Sequence, residues 1–331
     1  MARAAFDRDR FMFDFNFRNL SLVSFSPTLL THATRSCQSI RLHRLVEIML
    51  RNPRGTEEFV YSDAATSQRL LDQHHVVIDA LGGRPILPSL DVSRGGLRIL
   101  DSGTADGHWL REIDHANPWA DSNDYVGTDL NVRWFPQSHP DNFQFYQHNV
   151  ADAWPVDQEF TFDLVHQRLT LPGAAPAPLS QAIHNLFRLV KPGGWIQLIE
   201  AEQIAPASGP VFDEFLTLVR DVFDSTGAGW KYAAEMRKWL EVEGAVDITE
   251  ISVDMALGAT HRQKDLAEKG ASCTAGAMDG LVMHAKALQL ETGLNDAQLT
   301  SLPHRLYTEL TEAGAHYPLR AVWGRRRRTD E

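Results

Sequence analysis

The stretch from Leu97 to Gly107 constrains this chain more than any other. It reads Leu-Arg-Ile-Leu-Asp-Ser-Gly-Thr-Ala-Asp-Gly, an apolar run of strand length that ends in an acid and enters a glycine-bearing turn. His108 to His115 follows with helical character, so the turn lies where a strand hands over to a helix. Gly103 and Gly107 lack a Cβ and let the backbone pass close to a ligand. The helix beyond offers unpaired N–H groups and partial positive charge to an anionic group. Strand, acid, glycine turn and helix in that order predict a nucleotide-like ligand at the end of a parallel strand.

The rest of the chain continues the pattern. Thr66 to Leu81 has helical periodicity and stops at Gly82-Gly83. Strands are predicted at Asp124–Asp129, Phe143–His148, Phe162–His166 and Trp195–Ile199, with a helix over Leu179–Val190 and a turn at Lys191-Pro192-Gly193-Gly194. Helices over Val211–Phe223 and Ala233–Val242 precede a long alternating strand, Val246–Leu257, and a last strand follows at Leu319–Trp323. Strands separated by helical stretches predict an α/β fold with a mostly parallel sheet. Residues 261–290 read as helices, so a helical lid is expected over about 258–300, between the last two strands.

Charge divides the chain in two. The net charge is −11, yet residues 1–54 carry nine Arg and only four acids, leaving −16 on the body. An acidic body argues against broad nucleic-acid binding. The Arg- and Ser-rich first 54 residues are expected to be a poorly ordered extension to a single domain over 55–331; a transit peptide fits less well with Asp7, Asp9 and Asp14 present. Two cysteines, Cys37 and Cys273, supply neither a disulfide framework nor a metal set, which fits a reducing, cytoplasmic setting. No apolar run approaches the length of a membrane span. The Arg325–Arg328 run reads as a solvated tail, with a nuclear signal as the alternative.

Asp129 stands 22 residues beyond Gly107 at the end of the second predicted strand, where an acid accepts ribose hydroxyls. The turn itself lacks the spacing of a dinucleotide loop, since Gly103 and Gly107 are four apart with Ala105 between them. Asp101 and Asp106 make a poor setting for a pyrophosphate and a good one for an ammonium group. S-adenosylmethionine carries an ammonium and a sulfonium, and charge alone favours it over NAD.

The motifs resemble those of class I S-adenosylmethionine-dependent methyltransferases of the fungal secondary-metabolism type, the group of the velvet-complex methyltransferase-like regulator and the gliotoxin thiomethyltransferase. Asp101-Ser-Gly-Thr-Ala-Asp-Gly-His-Trp109 resembles the family's glycine loop, with Ala105 in place of its middle glycine. Gly127-Thr-Asp-Leu130, Phe162-Asp-Leu-Val-His-Gln-Arg168, Lys191 to Glu200 and Arg69-Leu-Leu-Asp-Gln-His74 match further family motifs in the expected order. The segment His316–Gly324 leans toward the thiomethyltransferase branch. The resemblance implies a Rossmann-like, seven-stranded sheet with helices on both faces. It also implies methyl transfer to sulfur, oxygen or nitrogen of a small metabolite. The alternative is a regulatory protein of the same fold acting through partners, with S-adenosylhomocysteine binding as the discriminating measurement.

The cofactor site is expected to comprise Asp101, Gly103, Thr104, Gly107, Asp129, Leu130, Asn149 and Val150, roofed by Gln73 and His74. Asn149 stands where the family has an acid for the adenine amine, and its side-chain oxygen can accept that bond. His166, at a strand end, is the candidate general base, or else a residue that holds the strand end. Arg168 either orients a polar substrate or pairs with Asp163. Glu200 and Glu202 have the spacing of an acid/base pair on an extended segment, unless one is only a surface charge, and Trp230 and Met278 are either core residues or part of an apolar substrate wall. His75 is expected to face elsewhere, and no metal site is expected.

Overall fold

A computed structural model describes residues 55–116, 122–136, 139–204 and 208–331. The expectation for residues 1–54, Cys37 included, lies outside the described residues.

Seven strands form one sheet in the order β3-β2-β1-β4-β5-β7-β6. They are β1 (Arg98–Ser102), β2 (Asp124–Asp129), β3 (Phe143–Gln147), β4 (Phe162–Arg168), β5 (Val190–Ala201), β6 (Val246–Leu257) and β7 (Ala315–Arg325). The first five pair in parallel, and β7 runs antiparallel between β5 and β6.

The apolar run of β1 works because successive side chains leave opposite faces of a strand. Ile99 joins Tyr125 and Leu164 on one face, under Trp109, Leu110 and Ile113 of helix α2 (His108–Ala116). Leu100 joins Val126, Val165 and Ile196 on the other, in the larger core. Helix α1 (Gly55–Ala80) contributes Val76 and Val77 to that core; α3 (Leu179–Leu189) and α4 (Pro210–Thr226) bring whole apolar faces to it, and α5 (Met236–Val242) adds Met236 and Leu240. The strand order reverses between β1 and β4, so a crevice opens beyond their carboxyl ends, where open α/β sheets place ligands.

Three local departures from the sequence reading have physical causes. Lys191–Gly194 is a bulge inside β5 rather than a turn before it: pairing jumps from Phe162–Val190 to Leu164–Trp195. Gly194 permits this, since a Cβ there would lie 3.0 Å from the carbonyl oxygens of Phe162 and Asp163. The inserted segment is longer than expected, with α6 (Lys264–Ala287) followed by α7 (Asp296–Glu312). Pro303 lies inside α7 and masked it, although Asn295 and Gln298 form a reciprocal capping box at its start. The insertion is closed at its base, where Thr260 Oγ1 lies 2.9 Å from the carbonyl oxygens of both Leu257 and Ala315.

The arginine run is not a loose tail throughout. Arg325 ends β7 and donates to Asp247 and Glu331, while Arg326 lies over the Phe187 and Phe160 rings and donates to the Phe187 carbonyl at 2.6 Å.

Candidate active site at the carboxyl ends of β1 and β4

The turn after β1 is tied to the end of β2. The N–H groups of Gly103 and Thr104 both donate to the Thr128 carbonyl, at 2.8 and 2.9 Å. The Ala105 N–H donates to Asp129 Oδ2 at 3.0 Å, and the Asn131 N–H donates to Oδ1 at 2.9 Å. Asp129 is thus a buried carboxylate oriented by the turn's own backbone. Gly103 has φ 81°, and a Cβ on it would lie 2.2 Å from Thr170 Oγ1, so the turn packs directly on the segment after β4. Ala105 sits at φ 52°, a left-handed conformation that costs a residue with a Cβ about 1–2 kcal/mol.

The two turn acids are not equivalent. Asp106 accepts from the His108 N–H at 3.1 Å and pairs with Arg111 at 3.1 Å, so it serves the start of α2. Asp101 is 4% exposed, and burial pushes its carboxyl up to about 7 against the opposing pull of Thr104 and the Arg168 guanidinium.

Arg168 is the last residue of β4 and reaches across the crevice to α1. Its Nη2 donates to His74 Nδ1 at 3.1 Å, and His74 Nε2 donates to Glu112 Oε2 at 2.7 Å. Accepting at Nδ1 and donating at Nε2 define His74 as one neutral tautomer. Burial drives its pKa down to about 4, with the Arg168 charge adding to the effect and Glu112 opposing it. His108 packs edge-on against His74 with ring centroids 4.8 Å apart, and burial also lowers its pKa. The His75 ring lies 6.0 Å from the His108 ring, but His75 does not line the cleft. The resulting cleft, of about 40 Å³, is lined by Gln73, His74, Asp101, Gly103, Thr104, His108, Trp109 and Arg168 among others. A larger cavity of about 430 Å³ lies at the opposite ends of the strands, beside Arg94, Asp163 and Arg328, away from every motif residue named for the cofactor.

Residues 78–252 match a methyltransferase domain family. The chain belongs to that methyltransferase family. It is 32% identical over 266 residues to "N-methyltransferase sirN" of Leptosphaeria maculans, covering 79% of this chain and 92% of that protein. It is 33% identical over 249 residues to "Methyltransferase psoC" of Aspergillus fumigatus, covering 75% and 89%. Among solved structures, a putative methyltransferase in complex with the Haloferax volcanii Trm112 activator matches at a TM-score of 0.45 and 14% identity, over 82% of this chain and 98% of that one. The protein is an enzyme of methyl transfer, with S-adenosylmethionine as donor and a small molecule as acceptor.

The remaining residues of the methyltransferase separate into those near the crevice and those that serve the core. Asn149 is buried, and its Oδ1 accepts from the Ala151 N–H at 2.9 Å. Val150, next to Asn149 in the chain, and Leu130, next to Asp129, are also buried, and the His148 N–H donates to the Asp129 carbonyl, so the two segments adjoin at the end of β2. His166 is 1% exposed and stacks on Trp109 with centroids 3.9 Å apart. Its Nδ1 accepts from Gln197 Nε2 at 3.1 Å, and burial holds its pKa well below the ordinary value. That arrangement engages one ring nitrogen and keeps the imidazole neutral.

Several expected pairings do not form. Arg168 does not meet Asp163, which takes Arg94 at 3.1 Å, Lys191 at 2.7 Å and the Arg98 N–H at 2.9 Å at the other end of β4. Glu200 and Glu202 are not an acid/base pair. Glu200 accepts from Gln167, from the Thr170 and Leu171 N–H groups, and from the Tyr232 hydroxyl at 2.8 Å. Glu202 instead binds Arg320 and Ser252. Met278 is fully buried in the larger core, where it serves packing rather than substrate contact. Trp230 lies under the Arg220 and Lys231 cations and does not line the cleft.

Sequence reasoning missed Glu112 and His108. They are four apart on α2 and so share a face, which is a signal the sequence contained. The bond from Glu112 to His74 carries no local signal at all.

Proposed function

We propose that this enzyme methylates a nitrogen of a small secondary metabolite, with the donor held at the Gly103–Gly107 turn. The observation that carries the reading is the convergence of Asp101, Asp129 and Arg168 on that one turn at the switch point of the sheet. In this reading Asp129 accepts the ribose hydroxyls, and Asn149, Leu130 and Val150 flank the adenine. Gly103, Thr104 and Gly107 present backbone, and Gln73 and His74 form the roof. The donor supplies an electrophilic methyl on a sulfonium, so the protein chiefly aligns the acceptor and excludes water.

Nitrogen is favoured by the relatives: proteins named N-methyltransferases occur in Leptosphaeria maculans, Aspergillus fumigatus and Claviceps purpurea, at 28–32% identity. The sulfur preference suggested by His316–Gly324 gives way to this. Chemistry agrees with it, since a neutral amine attacks with its own lone pair, whereas a hydroxyl first needs a base. Both nitrogens of His74 and Nδ1 of His166 are engaged in hydrogen bonds.

A panel of small amines, thiols and phenols incubated with the enzyme and S-adenosylmethionine, read by mass, tests the proposal. Methylated amines are expected; products confined to thiols or phenols would overturn the choice of nitrogen. Asp129→Ala should weaken S-adenosylhomocysteine binding at least tenfold in calorimetry, and unchanged affinity would remove the ribose from that position.

A further inference from the structure

We infer that Arg168 is the receptor for the carboxylate at the amino-acid end of the donor, and that Glu112 positions it by acting through His74. The inference rests on the reading of the β1–β4 crevice as the donor site.

The amino-acid end of S-adenosylmethionine is a zwitterion, with an ammonium and a carboxylate on one carbon. The cleft offers a buried acid, Asp101, to the ammonium. The same crest is hostile to a carboxylate, because Asp106 and Asp129 add negative charge around Asp101. The carboxylate therefore needs a cation. Among the described residues lining the cleft, Arg168 is the permanent one, since burial keeps His74 and His108 neutral at neutral pH. A guanidinium matches a carboxylate in a planar, two-pronged geometry that no other side chain reproduces. Asp101 senses the Arg168 charge, so the two opposite charges are near enough to face the two ends of one zwitterion.

An arginine at a strand end has many rotamers, and a receptor has to be held in one of them. His74 does this by accepting from Arg168 Nη2 at 3.1 Å, which it can do only with its proton on Nε2. Glu112 takes that proton's hydrogen bond at 2.7 Å and so selects the tautomer. Reversing the tautomer, or protonating His74, would turn Nδ1 into a donor aimed at a guanidinium. Glu112 lies on α2, the helix that grows out of the glycine turn. The turn that meets the donor and the arginine that meets its carboxylate are therefore held to one rigid element. Arg168 touches the ligand in this account; Glu112 and His74 position it.

The test compares S-adenosylhomocysteine with 5′-methylthioadenosine, which lacks the amino-acid end, by calorimetric titration of the full chain. The wild type is expected to prefer S-adenosylhomocysteine at least tenfold. Arg168→Gln should abolish that preference while leaving 5′-methylthioadenosine affinity unchanged, and Arg168→Lys should recover part of it. Glu112→Ala should lose about threefold on S-adenosylhomocysteine alone, with Glu112→Gln, which keeps an acceptor oxygen, restoring most of the loss. Equal losses on both ligands in the Arg168 variants would assign Arg168 a purely structural role and overturn the inference. Unchanged S-adenosylhomocysteine affinity in Arg168→Gln would likewise overturn the inference. Binding of neither ligand by the wild type would overturn the donor-site reading itself, and the inference with it.

Discussion

The ends of β1 and β5 each carry a buried acid, and the two acids do opposite things. Glu200 on β5 is fully enclosed and accepts from the Gln167 amide, two backbone N–H groups and the Tyr232 hydroxyl. Asp101 on β1 is nearly as enclosed, but it is left facing a cleft and a guanidinium, with its carboxyl raised to about 7. Burial raises the pKa of both, so burial does not tell a binding acid from a structural one. What distinguishes them is how many donors the fold itself supplies. The β5 acid ties the segment after β4 to the rest of the fold; the β1 acid is held ready for a ligand.

Removing Glu200 tests this contrast most severely. Glu200→Ala leaves a hydroxyl, an amide and two backbone N–H groups without their acceptor, and should cost about 4 kcal/mol in urea unfolding. Glu200→Gln should cost about half as much. A loss below about 1 kcal/mol for Glu200→Ala would show that these bonds carry little stability.

Asp101→Asn should act in the opposite direction. It should stabilise the ligand-free protein while lowering S-adenosylhomocysteine affinity at least tenfold. Asp101 has a folded-state pKa of about 7, above the unfolded value near 4, so its contribution to stability is lost as pH rises between those values. The advantage of the Asn variant should therefore be larger at pH 8 than at pH 5, on the order of 2 kcal/mol in chemical denaturation. A variant equally or less stable than wild type at pH 8 would place Asp101 with Glu200. The smallest effect is expected in the turn itself. Ala105→Gly relieves a positive φ and should add about 1 kcal/mol to thermal stability without reducing ligand affinity.

Much of the β1 side was legible because its chemistry lies in contiguous residues. Asp101 to Gly107 and Asp129 announce themselves by residue type and spacing, and the strands around them alternate or run apolar as buried strands must. Of the two roles the sequence offers Arg168, the pair with Asp163 does not form. Asp163 is five positions away on the same strand, an odd spacing that sends the two side chains to opposite faces, so period-two reasoning would have separated them. The actual partner, His74, comes from a helix 94 positions earlier, and no local pattern reports such a contact. Glu200 and Glu202 have an even spacing, but their partners come from α4–α5 and β7, which only the packed fold brings near. Met278 takes the core role of the two the sequence offers, because α6 packs on α1, α4, α7 and β6 and encloses it from several sides.

The base of the insertion is pinched shut. A Cβ on Gly258 would lie 1.8 Å from the Leu310 carbonyl oxygen, and one on Gly314 would lie 2.4 Å from the Thr260 nitrogen. The chain thus leaves the sheet after β6 and returns to β7 through one narrow gate, with entry and exit side by side. Such a segment is a cassette. Its length and sequence can change behind that gate while β6 and β7 keep their register.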